Sequence, residues 1–533
     1  MLPQRLGADG YRVLVSTTFR IVNLRRPMAS GITVDTNVMN MLQDKSLVKT
    51  LAVVGGKWIA AESLQAYNVV DPATHQTIAQ VPDMRASDAR NAIRAAAKAF
   101  PGWSRTLARE RATLLRRWYD LIKANSQDLA AIMVAECGKP LAEAKGEVAY
   151  SASFIQWFAE EAPRVYGDII PQTAAGKRLM VIKQPVGVCS LITPWNFPSA
   201  MITRKAGAAL AAGCTVVIKP ASETPLSALA LVELADRAGI PRGVLNIITT
   251  EKNTQEVGLE LSTNPTVRKI SFTGSTAVGK LLMKQASSTV KKVSMELGGN
   301  AAMIVFDDAD LDAAVSGVMS SKFRNTGQTC ICTNRLYVQS AIYDKFTAKL
   351  AAAMDGTLKV GNGFDGSSTV GPLITKNGWS KVKKHVDDAV SKGAKAVIGG
   401  KPHELGGSFF QPTLLTGMTQ DMIISREETF GPVAALFKFD TEQEVIALAN
   451  GTPFGLAGYF YTRDISRAFR VAEAIETGMV GINDGAISNE VAPFGGIKES
   501  GVGREGSRHG IDEYLITKYI GFGNIAEQPP SKL

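Results

Sequence analysis

The residues best suited to chemistry lie near the middle of the chain, in Arg324-Asn325-Thr326-Gly327-Gln328-Thr329-Cys330-Ile331-Cys332, which holds two of the five cysteines between apolar segments. Its polar, glycine-containing composition predicts a loop rather than core. A cysteine in such a loop with Arg324 close by is a candidate nucleophile, because the thiolate is the reactive form and positive charge favours it. Taken alone, the stretch reads better as an inert, half-buried free cysteine. A nucleophile needs partners. Glu296, ahead of the paired Gly298 and Gly299, has the type of a general base and equally that of a turn carboxylate. The four histidines, His75, His385, His403 and His509, stand apart from these residues, which argues against a Cys-His hydrolase. None is paired at ligand spacing with another histidine or a cysteine, so no metal site is expected.

The segments that position these residues follow a regular pattern. From Gly187 onward, short apolar strands over residues 188–192, 215–218, 244–248, 270–272 and 292–295 alternate with helices over 198–212, 226–238 and 277–286. This alternation predicts a mostly parallel sheet with helices on its faces, and such sheets bind ligands at the carboxyl ends of their strands. Three loops fall there: Thr193-Pro194-Trp195-Asn196-Phe197-Pro198, Lys219-Pro220-Ala221-Ser222-Glu223-Thr224-Pro225 and Thr273-Gly274-Ser275-Thr276, the last followed by Gly279. Free N–H groups, hydroxyls and the dipole at such a helix start suit a phosphate, although simple N-capping gives the same pattern and the G-x-G-x-x-G fingerprint is absent. A second α/β unit begins at Ala301, with strands over 303–306, 336–338 and 433–437 and helices over 311–321, 343–354 and 379–392. Upstream, alanine-rich stretches over 86–100, 107–123 and 127–135 predict scaffold helices, and the irregular 166–184 an extended excursion.

A chain of 533 residues suggests roughly three domains or subdomains. Hydrophobic content of 45%, charged content of 20% and 49 glycines describe a loop-rich α/β protein. The balance of 59 basic against 49 acidic residues gives +10 with no Lys/Arg run interleaved with aromatics, which speaks against nucleic acid and for small anionic ligands. No apolar run reaches the ~18 residues of a membrane span. An odd cysteine count without a secreted-type framework points to a reducing compartment. The two ends carry conflicting addresses. Residues 1–40 read as a transit-peptide leader for the mitochondrial matrix, with Arg5, Arg12, Arg20, Arg25 and Arg26 against Asp9 alone, whereas Ser531-Lys532-Leu533 reads as a peroxisomal tripeptide. Initiation at Met28 would remove the arginines.

The motifs also form an ordered set: TPWNFP at 193–198, KPAS at 219–222, FTGST at 272–276, MELGG at 295–299, GQTC at 327–330, EETFGP at 427–432 and PFGG at 493–496. This set resembles the aldehyde dehydrogenase superfamily over about residues 45–523. Arg324, the Cys330/Cys332 pair, Arg204 and Ser488 are similar to its succinate-semialdehyde dehydrogenase branch. The resemblance implies an α/β, aldehyde dehydrogenase-like fold. A Rossmann-type cofactor domain would span 45–165 and 187–297, an α/β catalytic domain 298–492 and a β oligomerisation arm 166–186 and 510–523, with a tail over 524–533. It also implies a homo-oligomer, a tetramer or a dimer.

For the site, the resemblance makes Cys330 the nucleophile, Glu296 the general base for thioester hydrolysis, Asn196 the oxyanion donor and Lys205 part of a proton relay. Thr193, Pro194, Trp195, Lys219, Ser222, Gly274, Ser275, Gly279, Glu428 and Phe430 would hold the cofactor. Relatives selective for NAD carry a glutamate where this chain has Ser222; a serine removes that charge and can donate to phosphate, so a preference for NADP with residual use of NAD is expected. Arg204, Arg324 and Ser488 would converge on the carboxylate of succinate semialdehyde, with glutarate semialdehyde, one methylene longer, as the competitor. Cys332 would form a reversible disulfide with Cys330 under oxidation.

Overall fold

Strands covered on both faces carry mostly apolar residues, and four largely buried strands form the centre of the first sheet in a computed structural model that describes residues 36–525. They are β1 (Val188–Ile192), β2 (Thr215–Lys219), β3 (Val267–Thr273) and β4 (Lys292–Glu296). Their order is β2-β1-β3-β4, all parallel, within an eight-stranded sheet whose edges are antiparallel. The register sets Ile192 against Lys219 and Phe272, and Thr273 against Glu296. The loops after these strands therefore open along one edge, and Glu296 ends the row.

From β4 the chain passes through Gly298 and Gly299 directly into the second sheet. There β5 (Ala301–Val305), β6 (Thr333–Gln339), β7 (Val433–Phe439) and β8 (Ala457–Tyr461) run parallel in the order β7-β6-β5-β8 within seven strands. The α/β class expected from strand–helix alternation holds. Helices that matter to the site are α1 (Leu141–Glu161), α2 (Ala200–Ala212), α3 (Thr276–Ala286), α4 (Leu311–Lys322) and α5 (Lys376–Ser391). Of these, α1 was not anticipated, nor were β8, the helix Thr254–Thr263 and the hairpin Ala66–Val70/Thr77–Pro82.

The segment expected to be an extended excursion holds two strands, Asp168–Ile170 and Arg178–Pro185, and the second pairs antiparallel with both the first and Leu515–Phe522 in a separate three-stranded sheet. Ile169, Tyr519 and Phe522 stand exposed on it. At the other end of the described chain, Thr36–Met41 is helical, and Val38 and Leu42 pack into the first core. Residues 1–35, including Met28, and Ser531-Lys532-Leu533 lie outside the described residues. Among the described residues no helix is long and apolar enough to cross a membrane, and no group of three or more His, Cys, Asp or Glu is placed to hold a metal ion.

Candidate active site

The cysteine stretch is a turn, as its composition predicts, but a buried one. Asn325 and Thr326 take left-handed backbone conformations (φ 51° and 58°), and Asn325, Thr326, Gln328 and Thr329 are all buried. Polar residues tolerate this because their own groups close the turn: Asn325 N–H donates to the Glu143 carboxylate, and Gln328 Nε2 donates to the Asn325 carbonyl. Gly327, at φ +72°, has no room for a side chain, since a Cβ would run into the Gly431 carbonyl. Gly299 serves the same end from the other side, because a Cβ there would strike the carbonyl of Cys330. Cys330 emerges half-buried from this packing.

Asn196, in the loop between β1 and α2, reaches the same turn. Its Nδ2 donates to the Gln328 carbonyl at 3.0 Å, and its own carbonyl accepts from Asn325 Nδ2 at 2.9 Å. A second donor to that carbonyl is Lys139 Nζ at 2.7 Å. Lys139 is paired with Glu147 of α1, both fully buried, and the Glu147 carboxylate also accepts the N–H groups of Ser199 and Ala200 at the start of α2. Charge at a helix N-terminus and a buried ion pair together fix the loop that carries Asn196.

Glu296 is buried at the end of β4, and a Cβ on Gly495 would come within 2.8 Å of its Oε1, so that glycine leaves its carboxyl room. Burial, then repulsion by Glu505, pushes its pKa well above the ordinary carboxylate value, against the pull of Arg204, Lys205 and Arg504. Lys205 is buried too, with its ammonium between Ser271 Oγ, at 3.1 Å, and the Glu505 carboxylate. Burial lowers the Lys205 pKa, with Arg204 acting in the same direction and Glu505 against it. Glu505, which sequence reasoning missed, also pairs with Arg204 at 2.5 Å. A carboxylate in the glycine-rich run that begins at Pro493 was the signal available for it.

Two expectations are changed by these contacts. The first concerns the thiol: burial and the Glu428 carboxylate push Cys330 up to about 12, and Arg204 rather than Arg324 is the nearby charge that opposes them. Burial thus opposes the thiolate that the turn was expected to favour. The second concerns the substrate residues. Arg324 and Ser488 share a cavity of about 310 Å³ with Phe197, Tyr150 and Glu143, but Arg204 is absent from its lining. Arg204 is buried outside that lining, with its guanidinium 4.0 Å from the centre of the Phe494 ring, its Nε paired with Glu505 and its Nη2 without a partner.

The cofactor residues fall into two groups. Thr193, Pro194, Lys219, Ser222, Gly274 and Ser275 line one cavity of about 820 Å³ along the strand ends of the first sheet. A dinucleotide fits this cradle. Thr193 Oγ1 and Thr273 Oγ1 are buried without a protein partner, Ser275 caps α3, and Leu259, Val278 and Leu281 offer an exposed apolar wall. The Lys219 ammonium bonds only the Pro220 carbonyl, and burial lowers its pKa to about 8. Trp195, Phe430 and Glu428 lie outside that lining. Trp195 meets the Phe430 ring edge-on at 5.5 Å, and Glu428 accepts the Gly299 N–H at 3.2 Å beside the thiol. Gly279 faces away from the groove, where a Cβ would strike Leu297, so it lets α3 pack on the sheet. Ser222 Oγ donates to Glu223, which brings a carboxylate to the groove that the reading of Ser222 had not considered.

A groove for a dinucleotide on one parallel sheet, joined to a thiol-bearing turn on the other, is the division of labour of nicotinamide-dependent oxidoreductases. The chain belongs to the aldehyde dehydrogenase family, whose model matches residues 58–520. It is 59% identical over 484 residues to a glutarate-semialdehyde dehydrogenase of Pseudomonas aeruginosa, covering 91% of this chain and 100% of that one. It is 58% identical over 482 residues to an NADP⁺ succinate-semialdehyde dehydrogenase of Escherichia coli, covering 90% and 99%. A crystal structure of an E. coli NADP-dependent enzyme superposes with a TM-score of 0.89 at 58% identity, covering 90% of this chain and 100% of that one.

Proposed function

We propose that the chain oxidises succinate semialdehyde to succinate with NADP as hydride acceptor and Cys330 as nucleophile. One observation carries the substrate class: a single turn delivers both Cys330 and Arg324, the latter into a cavity that also holds Ser488. Both relatives named above are called dehydrogenases of dicarboxylic semialdehydes, which agrees with an anionic tail. Glutarate semialdehyde is the second reading, favoured by the first of those names, and one methylene is worth only ~1–3 kcal/mol of discrimination.

In this reading Sγ of the half-buried Cys330 gives its proton to solvent and attacks the aldehyde carbon as the thiolate. The resulting alkoxide is held by the Asn196 side-chain amide and the N–H of Cys330, donors of a kind worth about a hundredfold to a thousandfold each. When bound, the oxidised nicotinamide supplies the hydride acceptor and a positive charge that favours the thiolate. Loss of hydride leaves a thioester on Cys330. Glu296 takes a proton from the water that attacks it, and its raised pKa makes it a stronger base than an exposed carboxylate. Lys205, whose charge acts on Glu296 and whose ammonium pairs with Glu505, would relay that proton away. Lys219 and Ser222 would hold the adenosine ribose and its 2′-phosphate, Ser275 the pyrophosphate, and Glu428 the nicotinamide ribose. The cofactor domain is taken as 45–165 and 187–297 and the catalytic domain as 298–492. The three-stranded sheet would be the arm of a homotetramer or dimer, and its exposed Ile169 and Tyr519 suit burial against another copy. The leader and the terminal tripeptide address the matrix and the peroxisome, and fluorescent fusions started at Met1 and at Met28 separate the two. Cys332, buried beside Cys330, would close a disulfide under peroxide; equal recovery by dithiothreitol in Cys332→Ala overturns that assignment.

The test of the reaction is formation of reduced NADP from succinate semialdehyde by the wild type and by Cys330→Ala. Activity lost in the variant supports the proposal. No reduced cofactor from the wild type, or an unchanged rate in the variant, overturns it.

A further inference from the structure

We infer that Tyr150 contacts the substrate carboxylate directly and sets the preference for acid over neutral aldehydes, an inference that rests on the anion-tailed substrate proposed above. Tyr150 lies on α1 and lines the 310 Å³ cavity with Arg324 and Ser488. Its hydroxyl oxygen is buried, lies toward Ser488 and makes no aligned hydrogen bond. Buried polar atoms are nearly always satisfied, so an orphan hydroxyl on a cavity wall marks a place where a ligand atom belongs. The ring is already fixed, edge-on to Phe154 with centroids 4.8 Å apart, so the hydroxyl is positioned before any ligand arrives.

The other polar groups of the lining are engaged. Glu143 accepts the Asn325 N–H, and Glu147 accepts Lys139 and the start of α2. Lys139 spends its ammonium on Glu147 and the Asn196 carbonyl. Arg204, the second arginine assigned to the carboxylate by resemblance, lies outside the lining, with its Nε paired to Glu505 and its Nη2 buried without a partner. On the lining itself three donors remain: the Arg324 guanidinium, the Ser488 hydroxyl and the Tyr150 hydroxyl. A carboxylate offers two oxygens and about four lone-pair sites, more than one guanidinium and one serine fill. Burial raises the Tyr150 pKa and outweighs the pull of Arg204 and Arg324, so the phenol stays a donor at neutral pH. A neutral aldehyde of the same length gives that hydroxyl nothing to bond.

The test compares kcat/KM for succinate semialdehyde and for butanal in the wild type and in Tyr150→Phe, which keeps every apolar contact of the ring. A lost hydrogen bond to a charged group lowers the acid-to-neutral ratio by about 10- to 100-fold, mainly through KM. Calorimetric titration of the enzyme with succinate should show affinity weakened by a similar factor. A wild type that treats the two aldehydes alike sinks the anion-tailed substrate itself. A wild type that discriminates, with a variant whose ratio and succinate affinity stay within about twofold, overturns the role of Tyr150 alone.

Discussion

Replacing Lys139 by methionine separates what the buried ion pair does for the fold from what it does for the chemistry. The side chains of Lys139 and Glu147 are 1% and 0% exposed, so Lys139→Met leaves a carboxylate deep in the protein with only the Ser199 and Ala200 N–H groups, at 2.9 and 3.3 Å. Breaking such a pair costs about 3–5 kcal/mol. The Asn196 carbonyl keeps only Asn325 Nδ2, at 2.9 Å, and the loop carrying the oxyanion donor loosens. A displacement of about 1 Å in such a group lowers kcat by up to about a hundredfold. Adding Glu147→Gln removes the stranded charge while leaving an oxygen to accept the same two N–H groups. Stability should then return to within about 1–2 kcal/mol of the wild type, but kcat should not recover, because the donor to the Asn196 carbonyl is still missing. Urea unfolding followed by tryptophan fluorescence, alongside kcat with saturating succinate semialdehyde, reads both quantities. A double variant with wild-type kcat, or a single variant that loses stability but no activity, refutes the positioning role.

Three further outcomes follow from the charges around the site. Glu428, raised to about 7, is the charge that most raises the Cys330 thiol, so Glu428→Gln should speed iodoacetamide alkylation of the unliganded enzyme by about 3- to 10-fold at mildly alkaline pH. An unchanged rate would mean that burial alone holds the proton. His385, buried under Thr429 on α5, has its pKa lowered to about 4 by burial and by Lys381 and Lys384, against Glu427. The unfolded chain takes up that proton near pH ~6.5 and the folded one only near 4, so stability falls with pH across this window by up to about 3 kcal/mol. His385→Gln should flatten that part of the profile in urea midpoints measured against pH. Glu223→Gln removes a carboxylate from the groove and should raise the NADP-to-NAD ratio of catalytic efficiency about 3- to 10-fold; a ratio that falls would place the 2′-phosphate elsewhere.

What could be read without the structure divides along physical lines. Strands such as Val188–Ile192 and Thr215–Lys219 are buried on both faces, so their apolar runs were legible almost to the residue. Helix α1 was not, because it is buried on several sides while carrying Glu143, Glu147 and Tyr150 inward, which destroys the apolar stripe that announces a helix. Those three positions recur at helical spacing, i, i+4 and i+7, and that polar stripe was the unused signal. The Cys330 turn was legible as reactive only through the ordered motif set, and not as buried, since its polar groups are satisfied by groups as distant as Glu143 and Asn196. Glu505 was missed for the same reason: its contact with Lys205 spans 300 positions of sequence.

The paired hydrogen bonds between Asn196 and the Cys330 turn join a loop of the first sheet to a loop of the second. Asn196, the proposed oxyanion donor, is thus also a rivet across the seam between the two halves of the molecule. Prising the sheets apart takes the donor away from the thiol before either sheet has lost a strand. Catalysis then acts as a gauge of docking: on heating, activity should vanish when the halves part, ahead of the loss of secondary structure.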